Sequence, residues 1–173
     1  MNQNANCCQL DIPYPPIKTE GECLSAAALL SNDLAGQVSE MSAINTYVFQ
    51  HMICCDESLA NALKCISMVE MHHFEMIGEL IVCFGGCPRQ GVQCGCGIKY
   101  WSAQNLCWEA DPACFLSENI KNERAAIANY TARITQINDA CVKRVLERII
   151  LDEEHHIEIF NSFLNRLGNN GRC

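Results

Sequence analysis

Apolar positions along the 173-residue chain gather into four segments stepped alternately by three and four residues. That spacing draws one buried stripe down a helix. In the last segment the stripe is Leu146, Ile149, Glu153, His156, Phe160, Phe163 and Leu167. In the second it is Leu63, Ile66, Glu70, His73, Ile77, Leu80 and Phe84. The first reads Glu40, Ile44, Tyr47, His51 and Cys54, and the third Leu116, Ile120, Glu123, Ile127, Tyr130, Ile134 and Ile137. Every stripe has a glutamate in a position that should be apolar, and two also have a histidine three residues on. Residues so spaced lie on one helical face with Cβ atoms about 5–6 Å apart. Buried charges of this kind require compensation.

The segments repeat. Shifting the chain by 83 residues, from Glu70 to Glu153, superposes Glu40 on Glu123, Ala43 on Ala126, Ile44 on Ile127 and Tyr47 on Tyr130 without a gap. Asp56 falls on Asp139, His72 on His155 and Glu75 on Glu158. The unit is a helical hairpin, present twice. Local signals predict a first helix over about 33–55, with Ser31-Asn32-Asp33 as a start or bend and an earlier start at the capping-box spacing Thr19 to Glu22. A second helix is expected over 57–84, N-capped by Asp56 and stopped by Gly85-Gly86. A third over 112–138 opens on Asp111-Pro112, and a fourth over 140–167 follows Asp139. Residues 85–111 are too long for a simple turn and suit a crossover along the bundle. The fold class expected is all-α: an antiparallel four-helix bundle over 19–168 with one long crossover between its second and third helices. Residues 1–18, carrying Pro13, Pro15 and Pro16, form an extended arm, and 169–173 a short tail.

Such a bundle brings Glu40, Glu70, His73, Glu123, Glu153 and His156 to one level, the donor set of a two-metal carboxylate site. Four carboxylates balance two divalent cations. Nitrogen and oxygen donors with open positions suit iron or manganese better than copper or structural zinc. Asp152 and His155 are also three apart, but the repeat places Val69 opposite Asp152, so Glu153 and His156 are the expected ligands. Asp152 is left to hold a ligand imidazole from outside or to face solvent. Tyr47 and Tyr130, two turns beyond Glu40 and Glu123, are candidates to bond the carboxylates or serve as redox partners, with a plain core role as the alternative. His72 and His155 point away from the ligand face. Asp33 and Gln37 extend the first stripe with polar groups, toward either a water-accessible mouth or solvent.

Composition narrows the partners. The formal charge of −8 and the lack of a basic stripe argue against nucleic acid and anionic membranes. No apolar run reaches the roughly 18–20 residues of a membrane span, and no secretory leader is read at the N-terminus, so a cytoplasmic protein is expected. Fourteen cysteines are the anomaly. None is spaced C-x-x-C, which excludes zinc-ribbon, rubredoxin and thioredoxin patterns. Reduced thiols are expected in a cytoplasmic protein, with disulfides or cross-links between copies as the alternative.

The stretches SEMSAINTYVFQ, EMHH and DEEHHIEIF resemble the ferritin-like superfamily, bacterioferritins foremost, with rubrerythrins and manganese catalases sharing much of the pattern. The resemblance covers 33–84 and 112–168. It implies two iron ions, with manganese as the alternative, a centre that oxidises Fe(II) with O₂ or hydrogen peroxide, and a homo-oligomer, at least a dimer. Manganese-catalase disproportionation of peroxide is the second reading. A cysteine cross-linked coat or shell protein with a structural metal is the third. Met71 coincides with the methionine that bacterioferritins use for haem, though one helical methionine is more often a packing residue and haem is not the expected cofactor. Helix three lacks the paired glutamates of rubrerythrin, and the cysteines of 87–110 match none of these families.

Overall fold

The computed structural model describes residues 8–94 and 97–170. The first seven residues of the arm, Gly95 and Cys96 of the crossover, and the last three residues of the tail lie outside the described residues. Among the described residues five α-helices and one hairpin are formed: α1 (Leu24–Ala35), α2 (Glu40–Ile53), α3 (Glu57–Cys83), β1 (Gly91–Cys94), β2 (Gly97–Tyr100), α4 (Pro112–Gln136) and α5 (Ala140–Asn170). Helices α2, α3, α4 and α5 are the four-helix bundle. Helix α1 lies against α3 as an addition to it.

The first bundle helix begins at Glu40, not near residue 33, and Asp33 sits inside α1. The break falls at Gly36, where a side chain would run into the carbonyl of Asn32. Ser39 restarts the helix, its hydroxyl accepting from the Ser42 amide and donating to the Gly36 carbonyl at 2.9 Å. Thr19 caps no helix. Its hydroxyl donates to the Cys83 carbonyl, and α1 starts only after Cys23. Asp56 and Asp111 each accept an amide three residues on, the N-cap geometry that starts α3 and α4. Asp139 does the same for α5 through Val142. Gly85, at φ 80°, ends α3 in the left-handed region that only glycine adopts freely.

The crossover is not structureless. It holds the antiparallel β1–β2 pair, Gly91 opposite Tyr100, and a single 3₁₀ turn at Ala103–Asn105. Two apolar cores stack along the bundle. One gathers Leu30, Leu34, Ile77, Leu80, Val145 and Ile149 from α1, α3 and α5. The other gathers Leu63, Ile66, Phe115, Leu116, Ile120 and Phe160. Each fully buried Leu, Ile or Phe contributes roughly 1.5–3 kcal/mol, so these cores hold the helices in register while the polar layer between them costs desolvation.

Candidate metal centre

The polar layer is made by the repeat. Glu40 from α2, Glu70 and His73 from α3, Glu123 from α4, and Glu153 and His156 from α5 are each at most 2% exposed. Helical spacing of three puts each Glu-x-x-His pair on the inner face, and the two hairpins bring those faces together. Two overlapping groups result: Glu40, Glu70, His73 and Glu153, and Glu70, Glu123, Glu153 and His156, with donor atoms within 4.8 Å of one another. Glu70 and Glu153 belong to both. His73 Nδ1 lies 3.2 Å from Glu70 and 3.3 Å from Glu153, and His156 Nδ1 lies 3.0 Å from each. Glu40 and Glu123 stand farther out, at 3.9 and 3.8 Å from His73 and His156.

The electrostatics are those of a crowded buried cluster. Burial, then Glu70 and Glu153, pushes the Glu40 carboxyl well above the usual range. Burial followed by the same two neighbours does so for Glu123. Burial works against ionised Glu70 too, but the His156 and His73 imidazoles overcome it and hold that carboxyl low. Both imidazoles are held well above their ordinary value against burial, chiefly by Glu153 at His73 and Glu70 at His156. Glu70 Oε1 is buried and satisfies no well-aligned hydrogen bond. An orphaned carboxylate oxygen among imidazoles and carboxylates is what a cation would satisfy, and the donor set fits two of them.

The two tyrosines reach across between hairpins. Tyr47 of α2 donates to Glu123 of α4, and Tyr130 of α4 donates to Glu40 of α2. Asp152 lies behind His73, its Oδ2 3.2 Å from Nε2. His156 Nε2 meets instead the Cys8 carbonyl at 3.1 Å. A cavity of about 90 Å³ opens onto the carboxylates of the layer. It is lined by Glu40, Glu70, Glu123, Glu153 and Tyr47, then by Gln37, Ser39, Ser42, Thr46, Asn105 and Asn122. Gln37 thus sits at a mouth, whereas Asp33 is buried in an ion pair with Arg133 at 2.7 Å. Met71 and His72 are on the outer face of α3, outside the cluster, and His72 packs edge-on against Tyr14 at 4.7 Å.

No family model matches the chain. A probable manganese catalase of Clostridium acetobutylicum is 26% identical across 90% of this chain and 77% of the relative. The crystal structure of a manganese catalase from Anabaena superposes with a TM-score of 0.83, at 24% identity over 92% of this chain and 80% of that one. The Desulfovibrio desulfuricans bacterioferritin, described with a diiron site, superposes at 0.68, with 25% identity over 86% and 82%. The fold of the chain is ferritin-like.

Within this ferritin-like bundle, the six candidate donors, the two tyrosines and Asp152 are brought together. Sequence reasoning missed Arg148, Tyr14 and the Cys8 carbonyl. Arg148 carried a signal, since a cation four residues before Asp152 on a helix is placed to pair with it; their groups lie 2.8 Å apart. Nothing local in the arm shows where Tyr14 and Cys8 dock.

Proposed function

We propose that the protein is a peroxide-consuming di-metal oxidoreductase, with disproportionation of hydrogen peroxide to water and O₂ on two manganese ions as the reading best supported. The observation that carries it is the pair of overlapping donor groups sharing Glu70 and Glu153, beside a cavity of about 90 Å³. The 26% relative, spanning most of both chains, favours manganese. Glu40, Glu70 and His73 would hold one ion with Glu153, and Glu123, Glu153 and His156 the other with Glu70. Two such ions supply the two-electron redox capacity that peroxide chemistry needs.

The chain's own groups do the rest. Four carboxylates neutralise two divalent charges, so the filled site is buried at no net charge. Burial and the neighbouring glutamates push the phenols of Tyr47 and Tyr130 well up, so each keeps its proton on Oη and stays a donor to Glu123 or Glu40 at neutral pH. That bond fixes one carboxylate oxygen and leaves the other for metal. A cavity of about 90 Å³, lined by serine, threonine and amide groups with Val38, Ala43 and Ala126, has room for water-sized and peroxide-sized molecules.

Oxidation of Fe(II) by O₂ or peroxide is the second reading, favoured by the bacterioferritin likeness. The two separate in one experiment on protein loaded with Mn(II) or with Fe(II). O₂ evolution from hydrogen peroxide without an electron donor supports the first; O₂ consumption on Fe(II) addition supports the second. Protein that binds two equivalents of either ion and does neither refutes both. The same preparations, sized in solution, test the expected homo-oligomer.

A further inference from the structure

The extended arm does not trail in solvent. Its carbonyls at Leu10 and Ile12 accept from Arg148 at 3.0 and 2.9 Å, and the guanidinium lies 4.2 Å over the Tyr14 ring. Arg148 is only 4% exposed, so the arm covers it. The Leu10 amide donates to Asp152 Oδ1 at 3.1 Å, and the Tyr14 hydroxyl to Asp152 Oδ2 at 2.5 Å. Asp152 therefore receives an arm amide, an arm phenol and Arg148, and it faces His73 Nε2. Two positions before Leu10, the Cys8 carbonyl faces His156 Nε2.

We propose that the arm, residues 8–17, is a working part of the metal centre: it fixes which ring nitrogen each histidine presents to metal, with Tyr14 as a positioning residue. A backbone carbonyl can only accept, so His156 must carry its proton on Nε2 when bonded to Cys8, which leaves Nδ1 for the ion. Asp152, bonded to Arg148 and the arm donors, accepts from His73 Nε2 with the same result. Outer partners of this kind orient the imidazole and raise its basicity as a donor. The same arm reaches both histidines, one directly through its backbone and the other through Asp152. Docking of the arm and binding of metal are then linked, and linkage is reciprocal: metal must hold the arm down as strongly as the arm holds metal.

The inference rests on the two-ion reading, and the test separates the two. Mn(II) affinities are measured by chelator competition on the full-length chain and on Tyr14→Phe, which keeps the ring over Arg148 and removes only the donor to Asp152. Tyr14→Phe should weaken one of the two sites about tenfold, the low end for outer partners, and leave the other near its wild-type value. In wild type, trypsin cleavage after Lys18, the first basic residue of the chain and an exposed one, should slow about tenfold on Mn(II) loading. A purely structural clamp would lower the melting temperature of Tyr14→Phe and leave both affinities unchanged. Unchanged affinities, or cleavage at Lys18 indifferent to Mn(II), overturns the proposal and leaves the two-ion reading standing. Wild type that binds no Mn(II) overturns both. The proteolysis arm decides the matter even if the variant fails to fold.

Discussion

The hairpin α2/α3 and the hairpin α4/α5 have the same inner side chains and different outer ones. Inside, glutamate faces glutamate, Glu-x-x-His faces Glu-x-x-His, and the tyrosines exchange hydrogen bonds across the bundle. One layer out, the correspondence fails. Arg148 and Asp152 of α5 stand where α3 has Cys65 and Val69. Arg133 of α4 reaches Asp33 of α1, while Gln50, its counterpart in α2, exchanges neutral amide bonds of 3.0 and 2.7 Å with Asn119. The lesson concerns constraint. Two like cations between two helix pairs require matching donors, whereas the partners behind those donors answer only to local packing. The two imidazoles consequently face different partners, an ionised carboxylate behind His73 and a peptide carbonyl behind His156.

The largest effect should come from breaking the inner symmetry, and it should be the same from either side. Glu40→Gln and Glu123→Gln each remove the outlying carboxylate of one donor group. Each variant is expected to bind its group's ion more than about 100-fold more weakly, beyond the range for outer partners, with a matching loss of peroxide turnover. Metal analysis after dialysis against a fixed chelator would read close to one ion per chain for both. Apo stability should change by no more than about 1 kcal/mol, since burial already favours the protonated carboxyl that glutamine imitates. If one variant keeps both ions, the inner layer is not functionally symmetric.

A smaller effect comes from the outer layer, at Asp33. Burial pushes its carboxyl up to about 6 although Arg133 pulls it down, against an ordinary 3.8. The folded chain therefore holds this proton more tightly than the unfolded chain. Stability from this group is fully present below about pH 3.8 and is lost as pH rises through about 6, a swing of about 3 kcal/mol at 1.36 kcal/mol per pH unit. Asp33→Asn should match wild type near pH 4 and exceed it by up to about 3 kcal/mol at pH 7.5, in denaturant titrations of the apo protein. Asn119, which bonds Gln50 where Asp33 pairs with Arg133, has no charge, so an Asn119 substitution should shift stability equally at every pH. A pH-independent difference for Asp33→Asn would remove the distinction between the two amide and ion-pair positions.

What was legible in the sequence follows the same division. The six donors could be read because the repeat and the three-four stepping overdetermine them: Val69 opposite Asp152 chose the register. The reciprocal bonds of Tyr47 and Tyr130 were readable as candidates, two turns from each glutamate. The break at Gly36 was expected near Ser31 to Asp33, because a polar triplet imitates a helix start. The turn after α1 leaves no room for a side chain at Gly36 against the Asn32 carbonyl, which composition does not report. The docking of Cys8 and Tyr14 joins residues about 140 positions apart through backbone carbonyls and a lone aspartate. No periodicity encodes such a contact. The β-hairpin in the crossover escaped for a related reason: each strand is four residues long, too short for alternation to register.

The smallest effect tests the last asymmetry, the crossover. It bonds to α2 and the segment before it as a latch, Trp101 Nε1 donating to Ser42 Oγ at 3.0 Å and Asn105 Nδ2 to the Gly36 carbonyl at 3.2 Å. Ser42 has Ala125 as its counterpart, which offers no acceptor side chain. Ser42 and Asn105 both line the cavity, so the latch is also part of its wall. Trp101→Phe keeps an aromatic ring beside the α1–α3 core and removes the donor. The loss of one partly buried hydrogen bond should cost about 1 kcal/mol, read as a fall in melting temperature of about 2–4 °C. If the latch also limits entry, turnover of a bulky alkyl hydroperoxide should rise relative to hydrogen peroxide, because only the larger molecule is held back by the wall. An unchanged ratio with the expected fall in melting temperature would assign Trp101 to stability alone and place the size limit deeper, at Thr46 and Tyr47.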